Sequence, residues 1–152
     1  MPKIEHNAVI GERAERIWSV LKRFGDIGHW HPAIAESAIE GGQPDGMVGC
    51  IRRLVLQDGA VLRERLLSVD EHTLSLSYRF EEAPLPLDNY IATVALVPLT
   101  DTDNTMVRWT ASFDPRAADP QGVHTQGIRE LIVSGHESLQ RYLAATPARP
   151  VH

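Results

Sequence analysis

The sequence has one cysteine, Cys50, in 152 residues. That excludes an internal disulfide framework and fits a reducing compartment. It has no apolar run near the 18 or more residues of a membrane span. Its start, Met-Pro-Lys-Ile-Glu-His, lacks the apolar core of a secretory signal. Lysine and arginine never cluster beyond pairs and the formal charge is −5, so nucleic acid is not an expected partner. There is no internal repeat and no low-complexity tract. These absences leave a soluble, cytoplasmic chain with no membrane partner, most simply one domain over 1–152 and large enough to bury a core without staples.

Near the end of the chain, Ile128, Leu131, Ile132, Leu139, Tyr142 and Leu143 recur at helical spacing with charged residues between them. The spacing predicts a long amphipathic helix from Asp119 to Ala145. Asp119 serves as its N-cap, Pro120 sits at its first position, and Pro147 limits its end. Gly127 and Gly135 break the apolar face, leaving room beneath it.

Before that helix, strand signals dominate. Lys3–Ile10 alternates and reads as a first strand. Ala14, Ile17, Trp18, Leu21 and Phe24 then follow a helical stripe that Gly25 is placed to end, and a second short helical turn precedes Pro32. Strands are predicted over 33–40, 47–56, 61–69, 73–80, 89–99 and 105–113. Gln57-Asp58-Gly59-Ala60 is a compact hairpin turn, and the proline-bearing stretch 81–87 reads as loop. With short links throughout, the sheet is expected to be antiparallel. The class is α+β: a curved sheet of about seven strands wrapped around a C-terminal helix, with two small helices after the first strand.

A sheet wrapped on a helix has one inner face, where polar residues are the informative ones. In the strand 61–69, Leu62, Glu64, Leu66 and Ser68 share a face, while Arg63 and Arg65 share the other. Two arginines belong in water more readily than one glutamate, which turns Glu64 inward. A buried carboxylate must be hydrogen-bonded, paired or protonated. Three readings stay open: an ion pair with an arginine across the hairpin such as Arg53, a ligand contact, or an outward Glu64. Tyr90, followed on its face by Ala92, Val94 and Leu96, suits either a pocket wall with a polar handle or a core tyrosine. Tyr78 with Phe80, and Trp109 with Phe113, read as core aromatics before cofactor stack.

Other chemistry finds little support. His29 and His31 have no third ligand at a recognisable spacing, so no metal is expected. Trp30 and His31 beside Pro32 suit a cavity rim. Ser134-Gly135-His136-Glu137-Ser138 lacks the strand-to-helix elbow and second glycine of a serine hydrolase. Gly41-Gly42 and Gly46-x-x-Gly49 precede no helix and cradle no phosphate. Cys50 has no visible base partner.

Certain residues also resemble a known group of proteins over roughly Ile4–Leu143. They are Ile17-Trp18, Phe24-Gly25, Trp30-His31-Pro32, Gly49 with Arg52, Glu64-Arg65-Leu66 with Asp70, Tyr78, Asn89-Tyr90, and Trp109 with Phe113. The chain resembles the START-like, or Bet v 1-like, helix-grip superfamily (SRPBCC), in its bacterial polyketide cyclase/dehydrase-like, MxaD-like branch. It is similar also to the plant abscisic acid receptors. There, the glutamate of a Glu-Arg-Leu motif and the tyrosine of an Asn-Tyr motif contact the ligand, which by resemblance implies Glu64 and Tyr90. The receptors' Ser-Gly-Leu-Pro-Ala gate and His-Arg-Leu latch are replaced by Gln57-Asp58-Gly59-Ala60 and Pro84-Leu85-Pro86-Leu87, so hormone sensing is not implied.

The expected site is a cavity for a small hydrophobic or aromatic ligand with a polar group, built from Glu64, Tyr90, Trp30, His31, Arg53, Tyr78, Trp109, Leu131 and Gly135, with no cofactor. Alternatives are a cyclase or dehydratase using Glu64 as general acid or base, and an accessory protein acting through its outer face.

Overall fold

The computed structural model describes residues 3–145. Strand β1 (Lys3–Ile10) leads into helix α1 (Ala14–Leu21) and a 3₁₀ turn over Phe24–His29. Six strands follow: β2 (Ile34–Ile39), β3 (Ile51–Leu56), β4 (Val61–Asp70), β5 (Ser75–Glu82), β6 (Leu87–Pro98) and β7 (Thr105–Pro115). Helix α2 (Val123–Ala145) closes the chain. All pairings are antiparallel, in the order β1-β7-β6-β5-β4-β3-β2. The first and last strands are therefore neighbours. β2 lies at the far edge, so α1 and the 3₁₀ turn carry the chain across the sheet before it meanders back.

The core fills the space between the inner sheet face and the helices. Ile4, Leu54, Leu66 and Phe113 come from strands, Ile17 and Trp18 from α1, and Ile128, Ile132, Leu139 and Leu143 from α2. Burying each such side chain contributes roughly 1.5–3 kcal/mol. Polar ties fix the helices on this layer. Arg16 Nη2 donates to the Leu143 carbonyl (2.8 Å), and the Trp18 indole donates to Glu71 (2.6 Å).

Strand ends shift by one or two residues from the sequence reading, with β5 running to Glu82 and β6 starting at Leu87 inside the stretch 81–87 expected as loop, and three further boundaries differ for identifiable reasons. Helix α1 stops at Leu21, and Phe24 and Gly25 open the following 3₁₀ turn instead of ending α1. A Cβ at Gly25 would lie 2.8 Å from the Ile39 side chain, so close packing requires this glycine. Strand β3 begins at Ile51, not Met47. Gly46 and Gly49 hold left-handed backbone (φ 83° and 94°), which keeps the intervening segment out of the sheet. Helix α2 begins at Val123 instead of just after Asp119. The Asp119 carboxylate still caps it from one turn earlier, accepting from the N–H groups of Val123 (2.9 Å) and His124 (3.0 Å). The expected stop at Pro147 lies outside the described residues.

Candidate functional site

Between the inner sheet face and α2 lies a cavity of about 290 Å³. Its mouth is framed by Asp58 and Ala60 of the β3–β4 turn, Pro84 and Leu85 of the β5–β6 loop, and Leu131 of α2. Its walls are mostly aliphatic and aromatic, and its polar end holds Arg52, Glu64, Tyr78 and Tyr90.

Strand geometry produces that polar end. Glu64 alternates inward with Leu62 and Leu66, and faces Arg52 in the β3–β4 register. Arg52 donates through Nε to Glu64 Oε1 (2.8 Å), Nη2 lies 2.8 Å from the same oxygen, and Nη1 donates to the Phe24 carbonyl (3.0 Å). The guanidinium carbon sits 3.8 Å from the Phe24 ring centre and 4.7 Å from that of Tyr78, two cation–π contacts in a desolvated place. Both partners are buried, Arg52 at 4% and Glu64 at 5% exposure.

The expectation that Arg53 would partner Glu64 is corrected. Arg53 is exposed and lies opposite Arg63 in the register. Strand pleating puts Arg52 on the inner face with Leu54, and Arg53 on the outer one.

Burial pushes the Glu64 carboxyl above the usual carboxylate range, while the Arg52 charge and hydrogen bond oppose that rise. Both Arg52 contacts fall on Oε1. The two fully buried side-chain polar atoms without a partner, among the described residues, are Trp109 Nε1 and His136 Nε2. Glu64 Oε2 is not one of them and accepts no hydrogen bond among the described residues, so part of its surface is open, on a side chain that lines the cavity.

Tyr90 reaches the cavity through an irregularity in β6. Asn89 holds left-handed backbone (φ 57°) where the β6–β7 register shifts between Asp88 and Ile91. The extra residue lets both Leu87 and Tyr90 face inward. The Tyr90 ring stacks on Phe80 with centres 3.8 Å apart and planes 5° apart. These two rings and Leu85 also line a groove on the outer surface, so they partition cavity from exterior. Burial raises the hydroxyl pKa of Tyr90 and of Tyr78, and the Glu64 charge adds to both. Both phenols are therefore protonated at ordinary pH. The Trp109 N–H lies near enough to the Tyr78 hydroxyl to oppose its rise, yet makes no hydrogen bond.

His31 lines the cavity but is fully engaged. Its Nδ1 accepts from the Ala33 N–H (3.2 Å), which leaves Nε2 to donate to the Leu131 carbonyl (3.0 Å). Burial lowers its pKa. The ring is a neutral strut tying the β2 approach to α2, with no lone pair left for a metal or a proton. Among the described residues no three His, Cys, Asp or Glu side chains converge. Burial likewise pushes the Cys50 thiol up, which disfavours a thiolate.

Leu131 and Trp109 line the cavity, whereas Trp30 and Gly135 do not. Trp30 packs beneath it, its ring centre 6.4 Å from that of Trp109. A Cβ at Gly135 would lie 2.8 Å from Trp109 Cζ3. The room left by this glycine is thus occupied by the indole, which corrects the expectation of open space beneath it.

One part-buried polar pair escaped the sequence reading. His6 of β1 and His136 of α2 meet Nδ1 to Nδ1 at 2.7 Å. His136 is 2% exposed, with Trp109 edge-on to it. The available signals were parity, since His6 alternates with Ile4 and Ile10, and helical spacing, since His136 falls between Ile132 and Leu139. Burial, with His6 adding to it, lowers the His136 pKa to about 4.

The family described as polyketide cyclase/dehydrase and lipid transport matches residues 1–144. No curated protein matches the sequence. Among solved structures, the chain is similar to a protein from Nitrosospira multiformis, with 27% identity, a TM-score of 0.79, and coverage of 92% of this chain and 94% of that one. It is similar to XoxI from Bacillus cereus, with 24% identity, a TM-score of 0.79, and coverage of 93% of this chain and 95% of that one. Norcoclaurine synthase from Thalictrum flavum, solved with dopamine and hydroxybenzaldehyde, is 17% identical with a TM-score of 0.74, covering 97% of this chain and 89% of that one. The architecture is the Bet v 1-like helix-grip fold.

Proposed function

The chain belongs to the polyketide cyclase/dehydrase and lipid-transport family, and from that we propose that it is a binding or carrier protein for a small, largely apolar molecule with a polar group. The observation that carries this reading is the cavity itself. It has about 290 Å³ of space walled by apolar side chains, with a buried carboxylate offering a free oxygen at its polar end. Apolar burial would supply most of the affinity, at roughly 25 cal/mol per Å². Glu64 and Tyr90 would set orientation, and Arg52 would hold Glu64 in place. Cys50 as the only cysteine fits a cytoplasmic site of action. No described helix is long and apolar enough to cross a membrane.

A second reading has its own support. The carboxyl of Glu64 is lifted by burial and shares an apolar-walled cavity with a phenol, Tyr90. That is the environment of a general acid or base acting beside a hydroxyl that polarises a carbonyl. A structural relative of the same fold is a synthase holding two small aromatic molecules.

Native mass spectrometry after incubation with an extract of the source organism separates the two, with wild type beside Glu64→Gln. A discrete adduct that weakens in the variant supports binding at the cavity. An adduct mass that changes with time only in wild type supports the enzyme. No adduct in either protein would sink both readings.

A further inference from the structure

The charges around the cavity restrict which polar group it accepts. Among the described lining residues Arg52 is the one cation, paired with Glu64 at 2.8 Å, and a second carboxylate, Asp58, stands at the mouth. His31 adds no charge, because its Nδ1 accepts from Ala33 and its Nε2 donates to Leu131. The guanidinium spends Nε and Nη2 on Glu64 Oε1 and Nη1 on the Phe24 carbonyl, and the Phe24 and Tyr78 rings lie against it. Its charge is thus balanced within the pair. Beside the Tyr78 and Tyr90 hydroxyls, the polar end leaves one carboxylate acceptor without a partner, Glu64 Oε2, on a side chain 5% exposed.

We infer that the ligand's polar group is a neutral hydroxyl that donates its hydrogen to Glu64 Oε2, carried on an apolar skeleton of one or two rings, and that carboxylates are rejected. This deepens the binding function proposed above and rests on it. A carboxylate would place a further anion beside Glu64 with no cation left to pair with it, and an unpaired buried charge is among the costliest groups to desolvate. A ligand without a donor would strip water from Oε2 and return no hydrogen bond. The size follows from the volume: a dry cavity of about 150 Å³ holds benzene, and this one is about 290 Å³. Tyr90, protonated and in the same cavity, supplies a second polar contact for the ligand oxygen.

Three naphthalenes of one shape test this at pH 7: 2-naphthol, 2-methoxynaphthalene and 2-naphthoate, titrated into wild type and Glu64→Gln, with folding checked by circular dichroism. The methoxy compound keeps the oxygen and loses its hydrogen. Wild type should bind the naphthol at least about tenfold more tightly than either analogue. In Glu64→Gln the Arg52 charge loses its counter-ion, so the order should invert and naphthoate should bind best. Naphthoate or the methoxy compound matching the naphthol in wild type overturns the inference and leaves the binding function standing. An unchanged order in a folded Glu64→Gln also overturns it. If none of the three binds, the cavity-binding function itself fails, and the inference falls with it. Should the variant not fold, the three wild-type affinities still decide.

Discussion

Arg52 and Glu64 face each other across β3 and β4, and both side-chain nitrogens that Arg52 directs at Glu64 lie 2.8 Å from the same oxygen, Oε1. A symmetric fork would satisfy both carboxylate oxygens. This one-sided contact fixes the carboxylate and leaves Oε2 toward the cavity.

Removing either member of the pair leaves the other charged and buried. Arg52→Met and Glu64→Leu should each lower stability by about 3–5 kcal/mol, and the double variant should recover most of that loss. Urea unfolding of the four proteins measures the coupling. Additive losses would show that the two side chains do not act as a pair.

Gly135→Ala places a methyl 2.8 Å from Trp109 Cζ3 and 3.2 Å from His31 Cδ2. The neighbouring indole must move, at a cost of about 1–3 kcal/mol. In a Trp109→Phe background the smaller ring leaves room, so the same substitution should cost much less. Chemical denaturation of both pairs tests it.

His136 introduces a pH dependence. Its pKa is about 4 in the folded protein, against about 6.5 in an unfolded chain. Between those values the native state binds fewer protons, so its stability is fully present above pH 6.5 and falls as pH drops toward 4. The loss should be on the order of 2 kcal/mol after allowance for solvent screening. His136→Phe should flatten this part of the curve, measured by urea unfolding from pH 7.5 to 4.5. Equal slopes in the two proteins would refute the assignment.

Asp119 caps α2 through the Val123 and His124 N–H groups. Asp119→Ala should cost about 1 kcal/mol, while Asp119→Asn, which keeps an acceptor, should cost less. Thermal melts followed by far-ultraviolet circular dichroism compare them.

Much of the fold was legible because local patterns carry it. Alternation placed β1 and β4 closely, and the spacing from Ile128 to Leu143 revealed α2. Glu64 was legible for the same reason: with arginines on either side, parity left it one face. Arg53 was misread because adjacent arginines give no local contrast, and only the alternation with Leu54 distinguishes Arg52. The start of β3 was misread because glycines at 46 and 49 take left-handed backbone, which composition does not reveal.

The sequence by itself determined the order of elements and the antiparallel sheet and favoured an inward carboxylate, since each depends on neighbours a few residues apart. Tertiary structure alone decided what that carboxylate meets, where the Gly135 space went and that His6 touches His136. Those outcomes depend on side chains 12 to 130 residues apart, brought together by register and helix docking. A one-residue change of register would reverse which face each strand residue takes, so no local pattern specifies them.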